Sequence, residues 1–201
     1  MPSSLHQERL DLVVECLRSR EARRVLDLGC GSGPLLLALA GDPFFERIVG
    51  LDISRKALED CARHLAHAGL QPDPRIQLRH GSFAEADPEL AGYDAAVLLE
   101  TIEHIPPDRL SKIERAVFNS YQPRLVLITT PNQECNELLG VPAHRPRHPG
   151  HEFEWTRSKF EAWAGGVAAR NHYQVEFSGI GWTHPTLGAP SQMALFVRQE
   201  T

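Results

Sequence analysis

Apolar residues in this chain fall into short continuous runs that alternate with segments of helical spacing, of period about 3.6, and the switches mark the elements. Leu10 to Leu17 has helical spacing, and Glu21-Ala22-Arg23-Arg24 leads into a strand, Val25 to Gly29, that ends in glycine. The alternation then continues. Pro34 to Ala40 reads as a helix, Arg47 to Ile53 as a strand, Ser54 to Ala68 as a helix and Arg75 to His80 as a strand. Next come Ala95 to Leu99 as a strand reaching Glu100, a helix from Pro107 to Phe118, and a strand from Leu125 to Thr130. Short apolar strands alternating with amphipathic helices predict an α/β fold, a doubly wound, mostly parallel sheet with both faces covered.

The rhythm breaks at 131–157, where prolines stand at 131, 142, 146 and 149 among histidine, arginine and asparagine. A loop of that length is expected to carry function or to be disordered. Beyond it, Thr156 to Ala169 reads as a helix capped by Thr156, and Tyr173 to Ile180 and Gln192 to Val197 read as an antiparallel C-terminal hairpin joined to the parallel sheet.

Composition narrows the class. The 201 residues fit a single domain, 1–201, able to bury a core without staples. Four dispersed cysteines, Cys16, Cys30, Cys61 and Cys135, form no CxxC pair, so neither a zinc knuckle nor a redox motif is indicated, and a reducing, cytoplasmic setting is expected. No stretch reaches the roughly 20 apolar residues of a membrane span, so no membrane partner is expected. A net charge of -5 speaks against indiscriminate nucleic-acid binding and leaves room for a local cationic patch, His144-Arg145-Pro146-Arg147-His148 with Arg157 and Lys159.

Two motifs carry chemistry. Asp27-Leu28-Gly29-Cys30-Gly31-Ser32-Gly33 joins a strand to a helix, where glycines let backbone approach a nucleoside, and Asp52 at the end of the second strand can accept from both ribose hydroxyls. Pro34 replaces the third glycine of the dinucleotide fingerprint, which disfavours a pyrophosphate ligand. The second motif is Glu100-Thr101-Ile102-Glu103-His104, which follows a buried strand and on a helix would set Glu100, Glu103 and His104 on one face. Two readings stand open: a metal site, or a glutamate-rich first turn favoured by the helix dipole. For a fourth ligand the loop offers His144, His148 and His151.

Asp27 before Gly29, Gly31 and Gly33 resembles the first motif of class I S-adenosylmethionine-dependent methyltransferases. That likeness implies Asp27 and the turn near the methionine part of the cofactor, Asp52 on its ribose, and Gly81-Ser82-Phe83 beside its adenine. Thr130-Pro131-Asn132, the pentapeptide, Arg147-His148-Pro149-Gly150-His151 and Glu152-Phe153-Glu154-Trp155-Thr156-Arg157 together resemble the Hen1 family of small-RNA 3′-terminal 2′-O-methyltransferases, from about Leu5 to Val197. The resemblance implies a seven-stranded sheet and a metal/RNA-binding insertion at about 131–157. It implies Mn²⁺ or Mg²⁺ held by Glu100, Glu103, His104 and His151, a mixed nitrogen and oxygen set unlike closed zinc sites. His148 is a candidate to take the hydroxyl proton, and Asn132, Arg147 and Arg157 are candidates to contact an RNA 3′ end with a free 2′,3′ diol. An RNA-repair kinase, phosphatase or ligase partner is expected if the setting is bacterial repair. Where the family usually has a tyrosine, Cys135 precedes Asn136, and Phe83-Ala84-Glu85-Ala86-Asp87 lacks its basic and aromatic pair. Two rivals remain: a metal-assisted methyltransferase for a small vicinal diol or catechol, and a cofactor-binding module without turnover.

Overall fold

The computed structural model describes residues 4–142 and 145–199, so His144 of the cationic cluster lies outside the described residues. Helix α1 spans Ser4–Ser19, followed by β1 Arg24–Leu28, α2 Pro34–Ala40, β2 Arg47–Asp52, α3 Arg55–His67 and β3 Ile76–His80. Then come β4 Ala95–Leu99, α4 Leu110–Glu114, β5 Leu125–Pro131, α5 Arg157–Asn171, β6 Tyr173–Ile180 and β7 Ser191–Arg198. One seven-stranded sheet results, in the order β3-β2-β1-β4-β5-β7-β6. Strands β1 to β5 are parallel, and β7 enters antiparallel between β5 and β6.

Side-chain alternation explains the layers. In β1 and β4, Leu26, Leu28, Ala96 and Leu98 face one core with Val117, Phe160 and Val167, while Val25, Ala95 and Val97 face another with Val13, Leu36 and Leu65. Both faces are covered, as strands with few polar positions require. Because the chain works outward from β1 to β3 and then returns to β4 beside β1, the topological switch point lies between β1 and β4. Ligands in open α/β sheets bind outside the carboxyl ends of the strands at that point.

Two helix expectations are corrected. Pro107 to Phe118 is not one helix: a 3₁₀ turn, Pro107–Arg109, precedes α4, and a wider π-helical segment, Arg115–Tyr121, follows it. The Tyr121 hydroxyl donates to the Glu85 carbonyl at 2.6 Å, which ties that wider segment to the loop after β3. The pentapeptide does not form an α-turn either. Glu100 has φ +50°, Thr101 sits at φ -123°, ψ -41°, outside the regular α and β regions, and only Ile102–His104 makes a 3₁₀ turn. The sheet holds one end, because Glu100 N–H donates to the Thr129 carbonyl at 3.1 Å and to Thr129 Oγ1 at 3.0 Å. Pro106 stops the other, since the residue before a proline avoids the α region and Ile105 sits at φ -113°, ψ 130°.

The insertion is more ordered than its composition predicts. It contains 3₁₀ turns at Gln133–Cys135 and Glu137–Leu139, and an isolated parallel bridge between Asn132 and Trp155 holds its two ends side by side.

Candidate functional site: a nucleoside cleft beside a histidine and carboxylate cluster

At the switch point the β1 turn opens a cleft of about 770 Å³, lined by Gly29, Gly31, Asp52, Ile53, Ser82, Phe83, Glu100, Thr101 and His104 among others. A smaller lobe of about 220 Å³ shares Gly29, Gly31 and Glu100 with it and adds His6, Arg9 and Asp27. The glycines differ in what they provide. A Cβ on Gly29 would stand 2.5 Å from Thr101 Cγ2, so this position is dictated by packing. Gly31, at φ +55°, has nothing within 4 Å of that position, and it faces the cleft. Its missing side chain keeps the floor open to a ligand.

Asp52 is oriented from both sides, accepting Gly31 N–H and Ser54 N–H at 2.8 Å each. Neighbouring Ile53 is 72% exposed, an apolar surface beside the cleft that sequence patterning assigned only to a strand end. Asp27 is fully buried with Oδ2 unpartnered, and burial first, Asp52 second, pushes its carboxyl up to about 8. Such a group is poised to pair with a cationic amine.

The insertion reaches the same end of the sheet. His104, His148 and His151 each offer a ring nitrogen within 4.8 Å of the others. His104 Nδ1 faces the Gly150 carbonyl at 3.0 Å and His151 Nδ1 faces Glu154 Oε1 at 2.6 Å, so with protons assigned there, both Nε2 atoms are free to bind a cation. His148 Nδ1 accepts Gly150 N–H at 3.0 Å, which places the neutral ring's proton on Nε2. Burial, above all, lowers the His104 pKa and keeps the imidazole neutral.

The carboxylates stand beside this trio, outside the 4.8 Å group. Glu103 is buried, with Oε2 accepting from Thr130 Oγ1 at 3.0 Å and Oε1 lacking any partner. Burial and then Glu100 raise its pKa well above the ordinary value. Glu100 accepts Ser191 Oγ–H at 2.9 Å and lies 3.5 Å from Arg9 Nη1. An orphaned carboxylate oxygen next to a second carboxylate, with His104 feeling the charge of Glu100, is a donor set of the kind that suits a divalent cation with oxygen and nitrogen ligands.

The three predicted substrate contacts lie elsewhere. Asn132 is fully buried; its amide donates to the Leu187 and Ala189 carbonyls at 2.8 and 2.9 Å, and its oxygen accepts Glu134 N–H. Arg147 donates to Asn136 Oδ1 at 2.6 Å, to the Pro190 carbonyl at 2.7 Å and to the Asn132 carbonyl. Arg157 pairs with Glu134 and donates to the Thr186 carbonyl. The polar atoms of Asn132 and Arg147 are engaged within the protein, which gives those two a bracing role, whereas the Arg157 side chain is 40% exposed and keeps surface open to solvent. Sequence spacing also missed Arg9, Ser191 and Thr130, which reach the site from distant segments.

A cleft of this shape at the β1/β4 switch point, on this strand order, defines a class I S-adenosylmethionine-dependent methyltransferase fold. A general methyltransferase-domain model matches residues 25–124. The methyltransferase domain of bacterial CtHen1-C superposes with a TM-score of 0.88 at 40% identity, over 98% of this chain and 100% of that one. Plainly, the chain belongs to the Hen1 methyltransferase-domain family. The structure of small RNA methyltransferase HEN1 gives a TM-score of 0.87 at 34% identity over 98% of this chain and 26% of that one. The small RNA 2′-O-methyltransferase of Gallus gallus is 36% identical over 97% of this chain and 54% of that protein. The chain thus spans about half the length of that curated relative.

Proposed function

We propose that this chain transfers a methyl group from S-adenosylmethionine to the 2′-hydroxyl of the 3′-terminal nucleotide of RNA, with Mn²⁺ or Mg²⁺ held by Glu100, Glu103, His104 and His151. One observation carries the reading: Glu100 and His104 line the nucleoside cleft while Glu103 keeps an unpartnered, buried oxygen beside them. On this reading, methyl donor and metal would be held side by side. A divalent cation engaging both oxygens of a terminal diol would favour the alkoxide of an otherwise poor nucleophile.

The chain's own groups supply positioning, which can account for much of a displacement's rate. Asp52 orients a ribose, Gly31 leaves room for the nucleoside, and Asp27 receives the cofactor's amine. Gly150 and Glu154 fix the imidazoles so that Nε2 of each faces the site. With Nδ1 of His148 accepting from Gly150 and its proton on Nε2, that ring is not set to take the hydroxyl proton as the sequence suggested, and would instead donate from Nε2 to a substrate oxygen. The cytoplasmic setting and a partnership with RNA-repair enzymes belong to this proposal; among the described residues no helix is long and apolar enough to cross a membrane.

The test uses labelled cofactor and short RNAs ending in a 2′,3′ diol, a 2′-deoxy sugar or a 3′ phosphate. Label should enter only the diol RNA and only with Mn²⁺ or Mg²⁺ present. Label in the 2′-deoxy RNA, or undiminished labelling in chelator, would refute the mechanism, and label in free catechol with none in RNA would favour a small-diol enzyme. His151→Ala should remove metal-stimulated methylation while leaving S-adenosylhomocysteine affinity, measured without metal, intact.

A further inference from the structure

Arg9 enters the smaller lobe from α1 and is only partly satisfied there. Its side chain is 13% exposed, Nη1 lies 3.5 Å from Glu100 Oε2, and Nε is buried with no hydrogen-bond partner. A guanidinium carries five donors in a fixed fork, and burying it against one loosely held carboxylate leaves part of that capacity unused. The lobe has room for a second acceptor beside Asp27 and Gly31.

The two lobes also fix a direction. With a ribose on Asp52 in the larger cleft, the amino-acid arm of the cofactor passes Gly29 and Gly31 into the smaller lobe, where Arg9 is the guanidinium among the lining residues. Asp27 suits the arm's amine, and the arm's carboxylate needs a cation. Arg9 meanwhile sits against Glu100, which the proposed function makes a metal ligand. A guanidinium at that distance opposes a second cation on the same carboxylate, and an incoming carboxylate would neutralise it.

We propose that Arg9 receives the methionine carboxylate of the cofactor and in doing so releases Glu100, so that cofactor and divalent cation bind with positive coupling. The coupling rests on the metal reading given above; the carboxylate contact does not. By linkage the effect is reciprocal, each ligand tightening the other by the same factor.

Calorimetric titration of Mn²⁺ into the protein alone, with S-adenosylhomocysteine, and with 5′-methylthioadenosine, which lacks the amino-acid arm, tests both parts. In the wild type, S-adenosylhomocysteine should tighten Mn²⁺ binding about fivefold or more, within the usual range of coupling between sites, and methylthioadenosine should leave it unchanged. In Arg9→Gln, S-adenosylhomocysteine should bind about tenfold more weakly, the usual cost of a lost charged hydrogen bond, with methylthioadenosine affinity retained as evidence of an intact pocket. Mn²⁺ should then bind this variant equally well with and without S-adenosylhomocysteine. Equal S-adenosylhomocysteine affinity in both proteins, or equal tightening by methylthioadenosine, overturns the proposal. A wild type that binds no Mn²⁺ under any condition overturns the metal reading and the coupling with it, whereas Mn²⁺ binding indifferent to S-adenosylhomocysteine overturns the coupling alone.

Discussion

Glu154 faces three donors: His151 Nδ1 at 2.6 Å, Arg147 N–H at 2.7 Å and Asn136 Nδ2 at 2.6 Å. Its side chain is 2% exposed, so water cannot replace any of them. Glu154→Gln keeps the shape but turns one acceptor oxygen into a donor, which sets donor against donor on one side of the group. Since partners of metal-bound histidines are commonly worth about 10–100-fold in metal affinity, the substitution should weaken Mn²⁺ binding by that order and spare S-adenosylhomocysteine binding measured without metal. Calorimetry with both ligands decides it: equal loss of the two would show that Glu154 serves only the fold. In the sequence, His151 bonded to Glu154 and His151 binding a cation read as competing explanations. The structure makes them compatible, because the bond uses Nδ1 and leaves Nε2. Spacing alone names a residue but not which of its two nitrogens is engaged. For the same reason Asn132 and Arg147 looked like substrate contacts: their polar capacity is visible in the sequence, and the carbonyls of 187–190 that consume it are not.

The insertion behaves as an element because its interior is braced. Arg147, half-buried, ties Asn136 to the Asn132 and Pro190 carbonyls, and its own N–H joins Glu154. Arg147→Met would strip three acceptors of their partner at a cost of about 1–3 kcal/mol, since unpaired buried polar groups are expensive. The expected outcome is faster limited proteolysis within 133–154 and weaker Mn²⁺ binding, with the far-ultraviolet dichroism of the sheet and helices unchanged. Global unfolding in step with the cleavage would mean that the insertion is not a separable unit. At this scale legibility was uneven. Strands written as short apolar runs were found within a residue or so, and α5 begins at the Thr156 cap, whose Oγ1 accepts Lys159 N–H. The pentapeptide was misread as a helical turn because helical spacing says nothing of a strand that holds Glu100 or of a proline that halts the turn two residues after His104. Even so, Glu100 and His104 line the cleft, while Glu103 lies buried beside Glu100.

For the whole molecule, Asp27 sets a dependence on pH. Its carboxyl is pushed up to about 8 in the folded chain by burial and Asp52, against about 4 when unfolded. Between those values the folded form keeps a proton that the unfolded form has released, so stability falls as pH rises through that window. Asp27→Asn removes this contribution, and its melting temperature should exceed that of the wild type by a margin that widens from pH 5 to pH 8. Each kcal/mol relieved moves the midpoint by about 2–4 °C in a chain of this size. A margin that stays constant across that range in thermal melts would refute the assignment. The layered sheet that buries Asp27 was legible from alternation alone, whereas the placing of β7 inside the sheet was not, since no local pattern records which neighbour a strand selects. That placement bears on the order of synthesis. The strand made after all the others lies second from the edge, completes β5 on one side and β6 on the other, and delivers Ser191 to Glu100. A chain still on the ribosome can build the parallel half and its glycine turn, but β5 remains an open edge and Glu100 lacks its hydroxyl partner. The cleft's Glu100 therefore gains its hydroxyl partner only once the last strand of the sheet is in place.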